Sequence, residues 1–294
     1  MIQRKKPFSV IDAGLILLML AAVAWLIYRI NVKLHYHWNW PVLFQYILRF
    51  DESSARWVPG LILQGVFTTL RLSVWSMIAA LLLGVIMGLF RTGRSHLRKM
   101  IGWFYVEGIR NIPVLVWIFI FYYFISNQLM QVIRIDVLAA AAPSWLQTAM
   151  RHAVADPANL SVFLSGLMAL AVYEGAYVTE IIRAGIQSIA KGQWEAAAAL
   201  GLSRKERMRH VIFPQAVRNI LPPLAGQFIS TIKDSAIVSV ISIQELTFQG
   251  MELMAATFMT FEVWITIMVL YFLICLACSL AIERFELYLK KEAA

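Results

Sequence analysis

Four ionisable side chains occur as two pairs of matched spacing beside apolar runs: Glu107 with Arg110, and Glu180 with Arg183. Each pair is i,i+3, so on a helix each can close a salt bridge within itself, and neighbouring helices can instead cross-pair them. Charges inside a bilayer are costly and face a partner, a cavity or a pathway. The four therefore form a candidate ionic clasp or gate at one mouth of a pathway, rigid in one reading and broken on opening in the other. Lys233 and Asp234 lie nearer mid-membrane and, being adjacent, cannot face one direction. One can meet a neighbouring helix or subunit while the other faces the pathway. Arg71 carries a planar guanidinium suited to bidentate carboxylate recognition; the competing reading is that it snorkels to headgroups. Glu174, Tyr173 and Tyr177 are polar enough to line a pathway, although tyrosine in a membrane helix also serves packing.

Enzyme chemistry finds no footing. The chain has no G-x-x-x-x-G-K-[ST] to cradle phosphates, no H-E-x-x-H, no His and Cys cluster of metal-ligand spacing and no G-x-S-x-G. No catalytic or metal-binding residue is assigned. Cys275 and Cys278 form a C-x-x-C inside an apolar run, where they read as small packing residues rather than a redox pair.

The elements that must position these residues are membrane helices. Of 294 residues, 60% are hydrophobic and only 15% charged, which excludes a soluble domain of this length. The net charge of +9 raises nucleic acid as a partner, but the basic residues are scattered through short loops, the pattern of membrane orientation. Arg4, Lys5 and Lys6 precede the first apolar run, Ile11 to Ile30, which lacks a small-residue cleavage site and reads as a retained span. Residues 31–57 form an outer segment rich in Trp and Tyr, with room for a short interfacial helix. Residues 58–294 form the main transmembrane domain. Span two ends at Phe90, its first part lying along the outer surface and placing Arg71 near the outer end. Span three runs from about Trp103 to Ile125, and 127–159 is a second outer segment. Span four covers Leu160 to Ala184. Span five begins after Pro222 and Pro223 and reaches Ser242, Met251 to Phe261 is a short outer connection, and span six covers Glu262 to Ile282. Basic inner loops and basic ends place both termini in the cytoplasm. The fold class is an all-α polytopic membrane protein of about six transmembrane helices.

Between the two apolar halves lies a polar, basic stretch, Gly192 to Pro214. Trp194 to Leu200 is alanine-rich and strongly helix-forming, and Gly201 stands where a left-handed cap would end it. Ser203 and Glu206 have capping-box spacing, and Pro214 forbids smooth continuation of the second helix. A solvated loop held near anionic lipid by its arginines is the plain reading. The stretch also resembles the E-A-A loop of permease subunits of ABC importers: Glu195, Ala196 and Ala197 match the E-A-A, Gly201 the family glycine and Pro214 the closing proline. Val211 and Phe213 replace the commoner Ile and Leu. The flanks, AYVTEIIRAGIQSIAKGQWEAAAALGLS and YVEGIRNIPVLV, extend the similarity to the polar amino-acid branch, from about Gly65 to Glu283.

The resemblance implies a type I importer permease in a bacterial inner membrane, with a coupling loop at 191–214. It implies two ABC ATPase subunits docked on that loop and a second permease subunit, identical or homologous. It further implies an extracytoplasmic solute-binding protein and an amino-acid substrate, acidic or broad-range, with no nucleic acid involved. ATP and Mg would be used by the ATPases, and this chain would bind no cofactor and be no enzyme. A channel or secondary transporter, needing no ATPase dock, is the alternative, and an intramembrane enzyme lacks an assemblable catalytic set.

Overall fold

A computed structural model describes residues 10–33, 36–52 and 55–291; Arg4, Lys5 and Lys6 lie outside the described residues. The chain divides into two units, Met1–Pro41 and Val42–Ala294. The first contains α1 (Val10–Lys33), whose apolar surface is exposed along its length, as suits a helix that only a bilayer covers.

In chain order there follow α2 (Trp40–Ile47), a hairpin of β1 (Leu48–Asp51) and β2 (Arg56–Pro59), α3 (Leu61–Thr92) and α4 (His96–Arg110). Next come α5 (Val114–Ile120), α6 (Asn127–Ile133), α7 (Ile135–Ala140), α8 (Ser144–Ala153) and α9 (Leu160–Gln187). The chain ends with α10 (Lys191–Ala199), α11 (Arg204–Glu206), α12 (Phe213–Asp234), α13 (Leu246–Thr257) and α14 (Thr260–Lys291). Among the described residues, six helical segments are long and apolar enough to cross a membrane.

The main unit is built on α3 and α9. Gly84 and Gly88 of α3 let the backbones close: a Cβ at Gly84 would stand 2.5 Å from a Val178 methyl, and one at Gly88 2.8 Å from an Ile182 methyl. Small residues at such contacts are the usual means of helix association in membranes, where dispersion rather than water exclusion drives packing. Three apolar clusters hold the rest. Ala80, Val178, Ile182, Ile212, Ala216 and Ile220 join α3, α9 and α12. Leu72, Ile118, Phe121, Phe163, Leu170 and Val238 join α3, α5, α9 and the 3₁₀ turn at Ser235–Ile241. Leu43, Ile62, Leu246, Leu253 and Val263 tie α2, α3, α13 and α14 together.

Several sequence expectations are corrected. Span two does not lie down on the surface before entering: α3 is one unbroken helix of 32 residues, roughly 48 Å at 1.5 Å per residue. Span three does not start at Trp103, because the chain leaves the helix at Asn111 to Pro113 and the membrane-crossing stretch is Val114–Ile133. Proline disfavours helical conformation in the residue before it, which separates α4 from α5. Pro222 and Pro223 do not start span five but sit inside α12. Pro214 does not stop the second loop helix; it occupies the first turn of α12, and the wide π turn at Arg207–Ile212 leads into it without a break. Met251 to Phe261 is no mere connection, since α13 runs from Leu246 and ends at Phe258, which takes a left-handed φ of 59°. The outer segment at 127–159 is largely helical, and the interfacial helix expected in 31–57 is α2.

Candidate functional site

The loop between α9 and α12 folds locally. Alanines drive α10, and Gly201, at φ +74°, ends it. The amide of Leu202 donates to the Ala197 carbonyl at 3.3 Å and that of Gly201 to Ala198 at 3.0 Å, the paired bonds of a Schellman cap. Ser203 then starts α11 with a complete capping box: its amide donates to Glu206 Oε2 at 2.8 Å, and its Oγ accepts from the Glu206 amide at 3.4 Å. Ala197 is buried inward, and Trp194 packs on the cluster that joins α3, α9 and α12. Gln215 Nε2 of α12 donates to Gln193 of α10 at 3.3 Å. Glu195, Ala196 and Pro214 face outward, and Leu200 is 80% exposed. α10 and α11 thus form an ordered two-helix element with one side packed on the bundle and the other exposed.

At this loop end of the bundle, Glu180 of α9 holds two arginines. Arg91, from the last turn of α3, pairs with its Oε1, and Arg183 Nη2 with its Oε2 at 2.7 Å. Arg183 also donates to Gln187 Oε1 at 2.5 Å. The intrahelical Glu180–Arg183 pair therefore forms, whereas Glu107 accepts from Asn111 Nδ2 at 3.1 Å and Arg110 lies over the Tyr177 ring at 5.0 Å. Neither crossed pair, Glu180 with Arg110 nor Glu107 with Arg183, is among the ion pairs of the described residues. Arg91 has the place in the clasp that spacing offered to Arg110.

Further along α9, Glu174 is fully buried and accepts from Gln227 Nε2 of α12 at 2.6 Å, its other oxygen having no partner. The hydroxyls of Tyr173 and Tyr177 lie 3.1 Å apart. The structure thus places Glu174, Tyr173 and Tyr177 on one helix, with Arg110 reaching it from α4. Lys233 is exposed and Asp234, half-buried, ends α12.

Arg71 stands apart from these, toward the other end of α3. Its Nη1 donates to the Arg151 carbonyl at 2.6 Å and its Nε to the Phe67 carbonyl at 3.1 Å. Trp75 Nε1 donates to the Ala153 carbonyl at 2.8 Å. A cation and an indole thus satisfy carbonyls at the C-terminal end of α8, the negative end of its dipole. Arg71 also borders a cavity of about 790 Å³. Arg71→Gln should raise hydrogen exchange through α8 (Ser144–Ala153) about tenfold, as expected for loss of a charged hydrogen bond of roughly 1.5 kcal/mol. Arg71→Lys should raise it less. Unchanged exchange in the Gln variant would show that this contact does not hold α8.

Sequence reasoning passed over Arg91, Gln227 and Glu245. Glu245 is fully buried at the N-terminus of α13, taking bonds from the amides of Thr247 at 2.9 Å and Phe248 at 2.7 Å. Tyr271 of α14 donates to it at 2.8 Å and Thr69 of α3 at 3.4 Å. One carboxylate therefore ties three helices. Burial pushes its pKa up to about 7, outweighing these four donors. Since the folded value lies above the ordinary carboxylate value, the native state binds the proton more tightly than the unfolded chain. Stability from this group is full at acid pH and falls as pH rises toward 7. Purified protein should melt higher at mildly acid than at mildly alkaline pH, and Glu245→Gln should flatten that difference. An equal pH difference in both proteins would exclude Glu245 as its source.

The described residues thus form a multi-span helical bundle interrupted by a capped two-helix loop. Residues 80–291 match the family described as binding-protein-dependent transport system inner membrane component, and the chain belongs to it. It is 33% identical over 243 residues to the glutamine transport system permease protein GlnP of Escherichia coli K12, covering 83% of this chain and 99% of that one. It is 31% identical over 237 residues to the glutamate/aspartate import permease protein GltJ of the same organism, covering 81% and 89%. A solved structure described as an amino acid ABC transporter with histidines superposes with TM-score 0.65 at 33% identity, covering 85% of this chain and 99% of that one. These matches place the chain in the amino-acid branch of ABC importer permeases, a multi-pass protein of the bacterial inner membrane.

Proposed function

We propose that this chain lines the pathway of an ATP-driven importer for polar amino acids, together with a second permease subunit, identical or homologous. Two ABC ATPase subunits dock on α10 and its Schellman-capped end, and an extracytoplasmic solute-binding protein delivers substrate at the opposite end. Both termini and the loop then lie in the cytoplasm. ATP and Mg are used by the ATPases, while this chain binds no cofactor and performs no hydrolysis. The relatives are named for glutamine and for glutamate and aspartate, and the substrate assigned here is of that polar, acid-or-amide class.

The observation that carries this reading is the exposed face of α10 at Glu195 and Ala196, ended by the left-handed Gly201 and packed by Trp194 against the cluster of α3, α9 and α12. A stiff short lever transmits ATPase closure to α9 and α12. Along the pathway an amino acid brings both charges, which cannot cross hydrocarbon unpaired. The unpartnered oxygen of Glu174 offers an acceptor for its ammonium group. Proteoliposomes holding the whole complex, with ATP on the loop side and saturating binding protein, test the assignment. Uptake of labelled glutamine or glutamate should require both. Uptake that follows the gradient without ATP would make the protein a channel or secondary transporter instead.

A further inference from the structure

A second cavity, of about 290 Å³, opens beside the coupling loop. Four cationic side chains line it: Arg91 from the end of α3, Lys99 from α4, Lys191 from α10 and Arg204 from α11. No carboxylate lines it. Arg91 is answered by Glu180, but among the described residues Lys99, Lys191 and Arg204 form no ion pair. Helix starts favour acidic side chains, because the dipole is positive there. Here α4 and α10 begin with no acid in their first turns and with Lys99 and Lys191 close to those starts. Like charges have thus been gathered where the backbone field already opposes them. The rest of the wall mixes the apolar Ile186, Ile189, Trp194 and Met208 with the polar Thr92 and Gln187, and it sits where two membrane helices end.

We propose that this cavity binds the phosphate headgroup of an anionic phospholipid, the phosphate held by Lys99, Lys191 and Arg204 and the glycerol end lying on Ile186 and Trp194. Phosphate chemistry alone would also admit a free ion. The apolar side chains at Ile186, Ile189, Trp194 and Met208 and the position at the ends of α3 and α9 favour a headgroup entering from the bilayer. Lipid here touches the first turn of the coupling helix, so its occupancy would stiffen the lever; that consequence rests on the importer reading, whereas the site itself does not.

Native mass spectrometry of the purified permease, alone and in its assembled complex, measures retained phosphatidylglycerol against phosphatidylcholine of equal chain length. Wild type should retain phosphatidylglycerol selectively in both forms. Lys99→Gln with Lys191→Gln should weaken retention by about thirtyfold, each cation near an anionic headgroup being worth roughly fivefold. Lys99→Arg with Lys191→Arg should keep it, which separates lost charge from lost folding. Millimolar inorganic phosphate should not displace the lipid. Equal retention by the Gln pair would overturn the site, and displacement by phosphate would make it a free-anion site. Loss of lipid on assembly would give the cavity to the ATPase. None of these outcomes bears on ATP-dependent uptake, which tests the importer reading separately.

Discussion

Gly201→Ala should weaken ATPase docking about tenfold and uncouple hydrolysis from uptake, and Gly201→Val should do so more severely. The cause is the backbone alone. Gly201 sits at φ +74°, and a Cβ there would meet nothing within 4 Å, so no side-chain collision enters. An L-residue forced into the left-handed region costs roughly 1–2 kcal/mol, close to a factor of ten in an equilibrium. That cost falls on the two Schellman bonds that fix the angle between α10 and α11. Asn tolerates this conformation better than Ala, so the order of function should be Gly, Asn, Ala, Val. Gly192 supplies the control: it too has open space, but it lies within the first turn of α10, where Ala is the better helix former. Gly192→Ala should couple normally. ATPase activity and uptake measured on the same vesicles read the result, and Gly201→Ala coupling as well as Gly192→Ala would separate the cap from transport. Glu195→Lys, on the exposed face, should release the ATPase with the cap intact.

How much of this was legible without the structure follows from the range of each interaction. The loop was readable because its determinants are local: alanines, a glycine at the cap and a Ser-x-x-Glu box, all within a dozen residues. The Glu180–Arg183 pair was readable for the same reason. Arg91 was not, because it lies 89 residues from Glu180 and only the packing of α3 on α9 brings them together. Gln227 meets Glu174 across 53 residues in the same way. The prolines misled in both directions. Pro113 does break its helix, but Pro222 and Pro223 are carried inside α12, as membrane helices tolerate because their surroundings can take up the freed carbonyls. Glu245 was passed over because it falls between the expected end of span five at Ser242 and the connection expected from Met251. Its burial is a tertiary fact, paid for by donors from α3 and α14.

The clasp prediction follows from that geometry rather than from spacing. Glu180 joins α3 to α9 through Arg91 and is mostly buried, its side chain 20% exposed and that of Arg91 15%. Removing one partner of a buried pair strands the other, at about 3–5 kcal/mol when fully buried and correspondingly less at this exposure. Glu180→Arg sets three arginines together and should lower the melting temperature by several degrees and reduce uptake at least tenfold, as roughly 1.4 kcal/mol would. Adding Arg91→Glu restores an opposite charge within reach of both residue 180 and Arg183, and should recover much of the stability and part of the uptake. Adding Arg110→Glu instead should recover neither, since Arg110 stacks on Tyr177 and is not the partner of Glu180. The same logic predicts that Glu107→Arg is mild, because Glu107 accepts from Asn111 and forms no ion pair among the described residues. Melting curves and uptake on protein verified as inserted give the answer: rescue by Arg110→Glu but not by Arg91→Glu would mean that the working state pairs these helices differently, through α4 rather than α3.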